Sequence, residues 1–129
     1  MTHALIIDDE RMNIDVLTML LARENITYSA ISSPRNLSQT LDVAPSIDVV
    51  FLDLEMPNYD GFTLLGELKS HPRLQGVPVV AYTVHTNVID SVRRAGFDGF
   101  VGKPLNNKRF PDQVRRILDG EQVWEIGGI

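Results

Sequence analysis

The sequence has no cysteine, which excludes disulfides and thiolate metal sites and suits a cytoplasmic protein. It has no run approaching the roughly 20 apolar residues that a membrane span requires. No secretory leader is expected, because Met1-Thr2-His3 leads straight into a short apolar strand, with no charged segment and no long apolar one. Positive charge is in deficit: 12 Lys and Arg face 17 Asp and Glu, a formal net charge of −5. That balance argues against direct contact with nucleic acid or an anionic membrane. There is no internal repeat, no low-complexity tract and no linker long enough to separate two domains. At 129 residues the chain fits one domain, with a body over 1–119 and a tail over 120–129.

What is present is a regular alternation. Ala4-Leu5-Ile6-Ile7 reads as a buried strand, followed by a helix over about Met12 to Arg23 with Ile14, Leu17, Leu20 and Leu21 on one stripe. Ile26 to Ile31 is β-branched and aromatic and predicts a second strand. Ser33-Pro34 then offers a cap and a first-turn proline for a helix through Leu37 and Leu41 that Pro45 ends. Ile47 to Asp53 is the central strand: four consecutive apolar residues, Val49 to Leu52, run straight into Asp53. Met56 to Gly61 is a loop, with Met56-Pro57 shaping it and Gly61 serving its turn. A third helix follows, with Phe62, Leu65 and Leu68 on one side. Val77 to Tyr82 is a fourth strand ending at Thr83. Thr86 or Asn87 caps a fourth helix that Gly96 stops. Gly99 to Gly102 is the fifth strand, and a last helix carries Phe110, Val114, Ile117 and Leu118. Five strands alternating with five helices predict an α/β fold, a parallel sheet covered on both faces.

In such a sheet the C-terminal ends of the strands share one edge, where ligands bind. The ends of strands one, three, four and five carry Asp8 and Asp9, Asp53, Thr83 and Lys103. Clustered carboxylates repel unless a cation sits among them or some take up protons. Mg²⁺ answers that need with oxygen ligands, keeping several waters beside one or two carboxylates. Lys103 can neutralise Asp53 or hold a phosphoryl oxygen as a point charge, and Thr83 can donate a hydrogen bond to the same oxygen. A carboxylate nucleophile, a metal and a lysine suit phosphoryl transfer onto an aspartate. Each residue alone has a plainer role: Asp8-Asp9-Glu10 as a helix cap, Thr83 as a turn residue, Lys103 as a solvated charge. Their joint placement at four strand ends is what favours a site.

These pieces, in this order, resemble the receiver domain of two-component response regulators over about Ala4 to Leu118. The matching residues are Asp8-Asp9, Asp53 in Asp-Leu-Glu-Met-Pro-Asn-Tyr-Asp-Gly, Thr83, and Gly-Phe-Val-Gly-Lys-Pro around Lys103. The resemblance implies a flavodoxin-like three-layer sandwich with a five-stranded parallel sheet of order 2-1-3-4-5. It implies that Asp53 is the phosphoacceptor, and that Mg²⁺ is held by Asp9 directly, by Asp8 directly or through water, by Asp53, and by the backbone carbonyl of Glu55. Lys103 and Thr83 would hold the phosphoryl group. Phe100 would be the switch aromatic that turns inward as Thr83 moves, and Lys103-Pro104 a cis bond. The donor would be a sensor histidine kinase or a histidine phosphotransfer protein. The chain would catalyse only its own phosphorylation and dephosphorylation and would signal through protein contacts at the fourth helix, fifth strand and fifth helix, as a monomer or a phosphorylation-dependent homodimer.

Some residues depart from that pattern or stand beside it. Val84 replaces the small residue expected after the switch threonine, and its β-branch narrows access. Glu55 and His85 flank the site at positions that tune hydrolysis of the acyl phosphate, although His85 serves equally as a helix-start residue. His3 and His71 read as structural or exposed. Arg93-Arg94, Lys108-Arg109 and Arg115-Arg116 make the output side basic. The tail Val123-Trp124-Glu125-Ile126 is apolar enough to pack back on the domain or to meet a partner. Three other functions compete. A flavin or nucleotide module would want a Gly- or Ser/Thr-rich loop after the first strand, where this chain has Asp8-Asp9. An Asp-dependent phosphatase would place its nucleophile after the first strand and add a cap domain. A receiver-like interaction module that is never phosphorylated would not need the full set of Asp8, Asp9, Asp53, Thr83 and Lys103.

Overall fold

A computed structural model describes residues 1–125, apart from the side chain of Thr86. Strands and helices alternate along the chain: β1 His3–Ile7, α1 Arg11–Arg23, β2 Thr27–Ile31, α2 Leu37–Val43, β3 Val49–Asp53, α3 Gly61–Ser70, β4 Val79–Thr83, α4 Ile89–Ala95, β5 Gly99–Gly102, α5 Phe110–Leu118 and β6 Val123–Glu125. The sheet order is β2-β1-β3-β4-β5-β6, and every pairing is parallel. The flavodoxin-like α/β sandwich expected from the sequence is present, with a sixth strand in place of the expected five. That strand comes from the tail. Val123 to Glu125 packs back on the domain by pairing with β5, while Ile126 lies outside the described residues.

The side-chain alternation of the strands divides the core in two. Leu5, Ile7, Val50, Leu52, Val79, Ala81 and Phe100 face α2, α3 and α4. Ala4, Ile6, Val49, Phe51, Val80, Tyr82 and Val101 face α1 and α5. Strands buried on both faces need near-continuous apolar runs, and β1, β3, β4 and β5 are buried at every position.

Several local expectations are corrected. Phe62 is 38% exposed and sets its ring edge-on against Phe97; Leu64, Leu65 and Leu68 form the buried stripe of α3. Gly61 does not turn the loop. It opens α3 and lies so close to Leu54 that a Cβ there would meet its Cδ2 at 2.6 Å, whereas the positive φ in this loop falls at Asn58. Ser33 caps a short 3-10 turn, Pro34–Asn36, that precedes α2. A similar turn, Thr86–Val88, precedes α4, whose N-cap is Val88 with no side-chain bond. Asn87 therefore does not cap α4, and the alternative cap at Thr86 lies outside the described side chains. Gly96 does end α4, in the left-handed conformation at φ 103° that an L side chain adopts poorly. His3 is buried and bonded to Thr27 and Ser29, and His71 caps the turn Pro72–Leu74; both are structural.

Candidate functional site

Strand parity builds the site. Asp8 follows Ala4 and Ile6, Asp53 follows Val49 and Phe51, and Lys103 follows Val101, so all three continue the α1/α5 face. The pairing of Ile7 with Leu52, continued one step, sets Asp8 beside Asp53, and Asp53 pairs with Tyr82. Thr83 has the opposite parity, with Val79 and Ala81. Its backbone carbonyl accepts the Lys103 N–H at 2.9 Å, which fixes where the Lys103-Pro104 cis bond leaves the sheet.

The side chains meet at that edge. Asp8, Asp53 and Thr83 are buried, and Asp9 is exposed. Lys103, its side chain 6% exposed, holds Nζ 3.4 Å from Asp8 Oδ2 and 3.4 Å from Asp53 Oδ1. The backbone N–H of Glu10 donates to Asp8 Oδ1 at 2.8 Å, and that of Glu55 donates to Asp53 Oδ1 at 3.1 Å. Asp8, Asp9 and Asp53 each offer one carboxylate oxygen within 4.8 Å of the others. Burial pushes Asp53 from an ordinary 3.8 to about 6; the Lys103 ammonium pulls it back, and the Asp8 carboxylate adds to the rise. One ammonium among three carboxylates leaves an excess of negative charge. An all-oxygen donor set of that charge fits a hard divalent cation such as Mg²⁺.

Thr83 and Phe100 stand apart from the carboxylates. Thr83 Oγ1 accepts the His85 N–H at 3.2 Å. Phe100 is fully buried and already inward, next to Ala81 on one side and Trp124 on the other. Glu55 and His85, expected only to flank the site, join each other: His85 Nε2 lies 2.6 Å from Glu55 Oε1. Val84 is 53% exposed at the same rim.

A sequence model of the response regulator receiver domain matches residues 4–115. The chain belongs to the response regulator receiver domain family. It is 32% identical over 121 residues to the two-component response regulator ORR13 of Oryza sativa subsp. japonica, covering 91% of this chain and 95% of that one. Among solved structures it superposes on the receiver domain of a signal transduction histidine kinase from Syntrophus aciditrophicus with a TM-score of 0.76, at 27% identity over 93% of this chain and 92% of that one. The chemotaxis response regulator CheY4 of Vibrio cholerae shares the fold, with a TM-score of 0.78 at 19% identity over 91% and 98% of the two chains.

This receiver has one site residue that the sequence reading passed over. Tyr82 Oη donates to Asp8 Oδ2 at 2.5 Å, and Lys103 Nζ sits 4.3 Å from the centre of its ring. Burial and the bond to Asp8 hold the phenol well above its ordinary range, so it remains a donor. The signal was available: a tyrosine one residue before the switch threonine, in register with Asp53, points to the carboxylate side.

Proposed function

We propose that this receiver is a phosphorylation-switched signalling protein whose Asp53 accepts a phosphoryl group from a sensor histidine kinase or a histidine phosphotransfer protein. The observation that supports it is Asp53 itself. It is a buried carboxylate at the end of the central strand, 3.4 Å from the ammonium of a largely buried lysine side chain and grouped with two further carboxylates. An Asp53 oxygen attacks the phosphorus of a phosphohistidine; the P–N bond breaks as the O–P bond forms, and the departing imidazole nitrogen takes a proton from water. Asp8, Asp9, Asp53 and the Glu55 carbonyl would hold a Mg²⁺ ion, which would supply neutralisation of the phosphoryl charge. Lys103, steadied by Tyr82, takes one phosphoryl oxygen. Thr83 accepts from the His85 N–H and keeps its own proton to donate to another.

The chain acts on no separate substrate; it catalyses only its own phosphorylation and dephosphorylation. The Glu55–His85 pair stands at the rim, where it governs the entry of donor and of hydrolytic water. The added charge draws on Thr83, and the shift passes along the β4–β5 pairing to the already buried Phe100, altering the α4–β5–α5 side that downstream proteins read. The protein works in the cytoplasm, as a monomer or a phosphorylation-dependent homodimer. Among the described residues no helix is long and apolar enough to cross a membrane.

Intact mass after incubation with Mg²⁺ and acetyl phosphate tests this reading. Wild type gains one phosphoryl group and Asp53→Asn gains none. Absence of the gain in wild type, with a phosphohistidine donor as well, would leave a receiver-shaped interaction module.

A further inference from the structure

The output side of this receiver is occupied by the chain's own tail, and the manner of occupation describes a ligand. β6 lies along the outer edge of β5 with Gly99, Phe100 and Val101 opposite Val123, Trp124 and Glu125. Each of its residues has its own receptor. Val123 is fully buried in the α1/α5 core beside Val114 and Ile117. Trp124 packs on the opposite core that holds Phe100 and Phe97, and the Arg93 guanidinium lies 4.7 Å from its ring centre. Glu125 receives Arg116 Nη1 at 2.8 Å and Gln113 Nε2 at 2.9 Å. The backbone approach is equally specific. A Cβ on Gly99 would lie 2.9 Å from the Val123 carbonyl oxygen, a contact with backbone that cannot swing aside. Only an unsubstituted residue 99 lets a strand lie at this spacing.

We propose that the β5 edge, with α4 and α5 on either side, is a binding site for an extended partner segment. That segment pairs parallel to β5 and carries an apolar, an aromatic and an acidic residue in succession; β6 is its occupant in cis. The chemistry of the partner is set by what the site offers: an apolar slot over α5, an arginine-topped aromatic slot beside α4, and an Arg116–Gln113 clamp for a carboxylate. Strand addition at a sheet edge is an established way to recognise a peptide. A three-residue strand at the end of a sheet is among the elements that open locally while the core stays folded, so cis and trans segments can exchange. The site stands without reference to phosphorylation. Its coupling to Asp53 rests on the reading above and runs through Phe100, which lies between Ala81 and Trp124.

The test uses the full chain without phosphodonor, and a labelled peptide with the sequence of residues 119–125 as the probe. Val123→Asp combined with Trp124→Ala vacates the edge. The peptide is expected to bind this variant at least tenfold more tightly than wild type by anisotropy, and adding Gly99→Ala abolishes the binding. Equal binding to wild type and variant, or binding to neither, overturns the proposal; so does dimerisation of the vacated variant in light scattering, which would assign the edge to a second copy. Wild-type hydrogen exchange gives a readout free of variants: β6 amides are expected to exchange well before those of β1, β3 and β4, and exchange of β6 only on global unfolding overturns the proposal. Neither experiment depends on Asp53, so their failure leaves the phosphoacceptor reading intact, and failure of Asp53 to take a phosphoryl group leaves the strand site intact without its coupling.

Discussion

Asp53 ends β3 and Glu125 ends β6, each carboxylate beside a cationic side chain, and the protein treats them in opposite ways. Asp53 is buried and pushed up to about 6, because burial and the Asp8 carboxylate outweigh Lys103 and a backbone N–H. Glu125 is held below its ordinary 4.5 by bonds from Gln113 and Arg116 that outweigh its partial burial. One group is left short of positive charge, the other is supplied with it. The shortfall is what the proposed site for a cation and a phosphoryl group requires; the full complement is what the proposed latch requires. A carboxylate built for stability is paired, whereas one built for chemistry is stored at a cost.

The largest break in this contrast comes from Asp53→Asn. It is expected to remove phosphorylation completely, read by intact mass, while raising metal-free stability by about 1 kcal/mol because a buried charge is gone. The sign follows from linkage. A folded pKa above 3.8 means that the folded state holds a proton the unfolded chain releases, so between pH 3.8 and about 6 this group makes metal-free stability fall as pH rises. Denaturant melts across that window are expected to lose this slope in Asp53→Asn.

Lys103→Met breaks the site in the other direction. It leaves Asp8 and Asp53 without their shared ammonium and is expected to cost about 2–3 kcal/mol at neutral pH without Mg²⁺, with phosphorylation slowed at least tenfold. Added Mg²⁺ should recover most of the lost stability, measured by thermal melts with and without the ion.

Tyr82→Phe sharpens the comparison within the site. Loss of the 2.5 Å bond to Asp8 is expected to cost about 1.5–3 kcal/mol in the metal-free protein, the scale of a hydrogen bond to a charged group. Mg²⁺ should bind severalfold tighter, since an unpaired carboxylate gains more from a cation; titration calorimetry on the two proteins reads both effects.

The smallest effect is at the latch. Glu125→Gln is expected to cost about 0.5 kcal/mol at neutral pH. A folded pKa depressed below 4.5 contributes stability that is present above that value and is lost as pH falls through the folded pKa. Trp124 is the only tryptophan, so its fluorescence follows β6 directly: acidification should shift it slightly toward the released signal in wild type, and Glu125→Gln should show that small shift already at neutral pH, with no further change on acidification.

The same contrast separates what could be read from the sequence. Asp8, Asp53 and Lys103 were legible because each follows an apolar run whose alternation fixes its face, and parallel strands bring such ends to one edge. Gly96 was legible because a left-handed helix stop has few alternatives. The side of the sheet that Tyr82 faces was legible from the same alternation, but its bond to Asp8 was not, because it reaches across β3 and no local pattern encodes it. Helical spacing groups Phe62 with Leu65 and Leu68, but Leu64 and Leu65 fill the inner face and leave Phe62 partly exposed. The sixth strand was unreadable as a strand. Three residues have no period, and β6 exists only because Gly99 leaves room for its carbonyl and Arg93, Arg116 and Gln113 receive its side chains. Local alternation carries the site; long-range complementarity carries the latch.

The measurement that bears most directly on the central claim is borohydride reduction of the phosphorylated protein followed by peptide mass analysis. Reduction converts an aspartyl phosphate to homoserine. The account predicts homoserine at position 53 and nowhere else; homoserine at Asp8 or Asp9, or a phosphoryl group carried on a histidine with Asp53 intact, would contradict it.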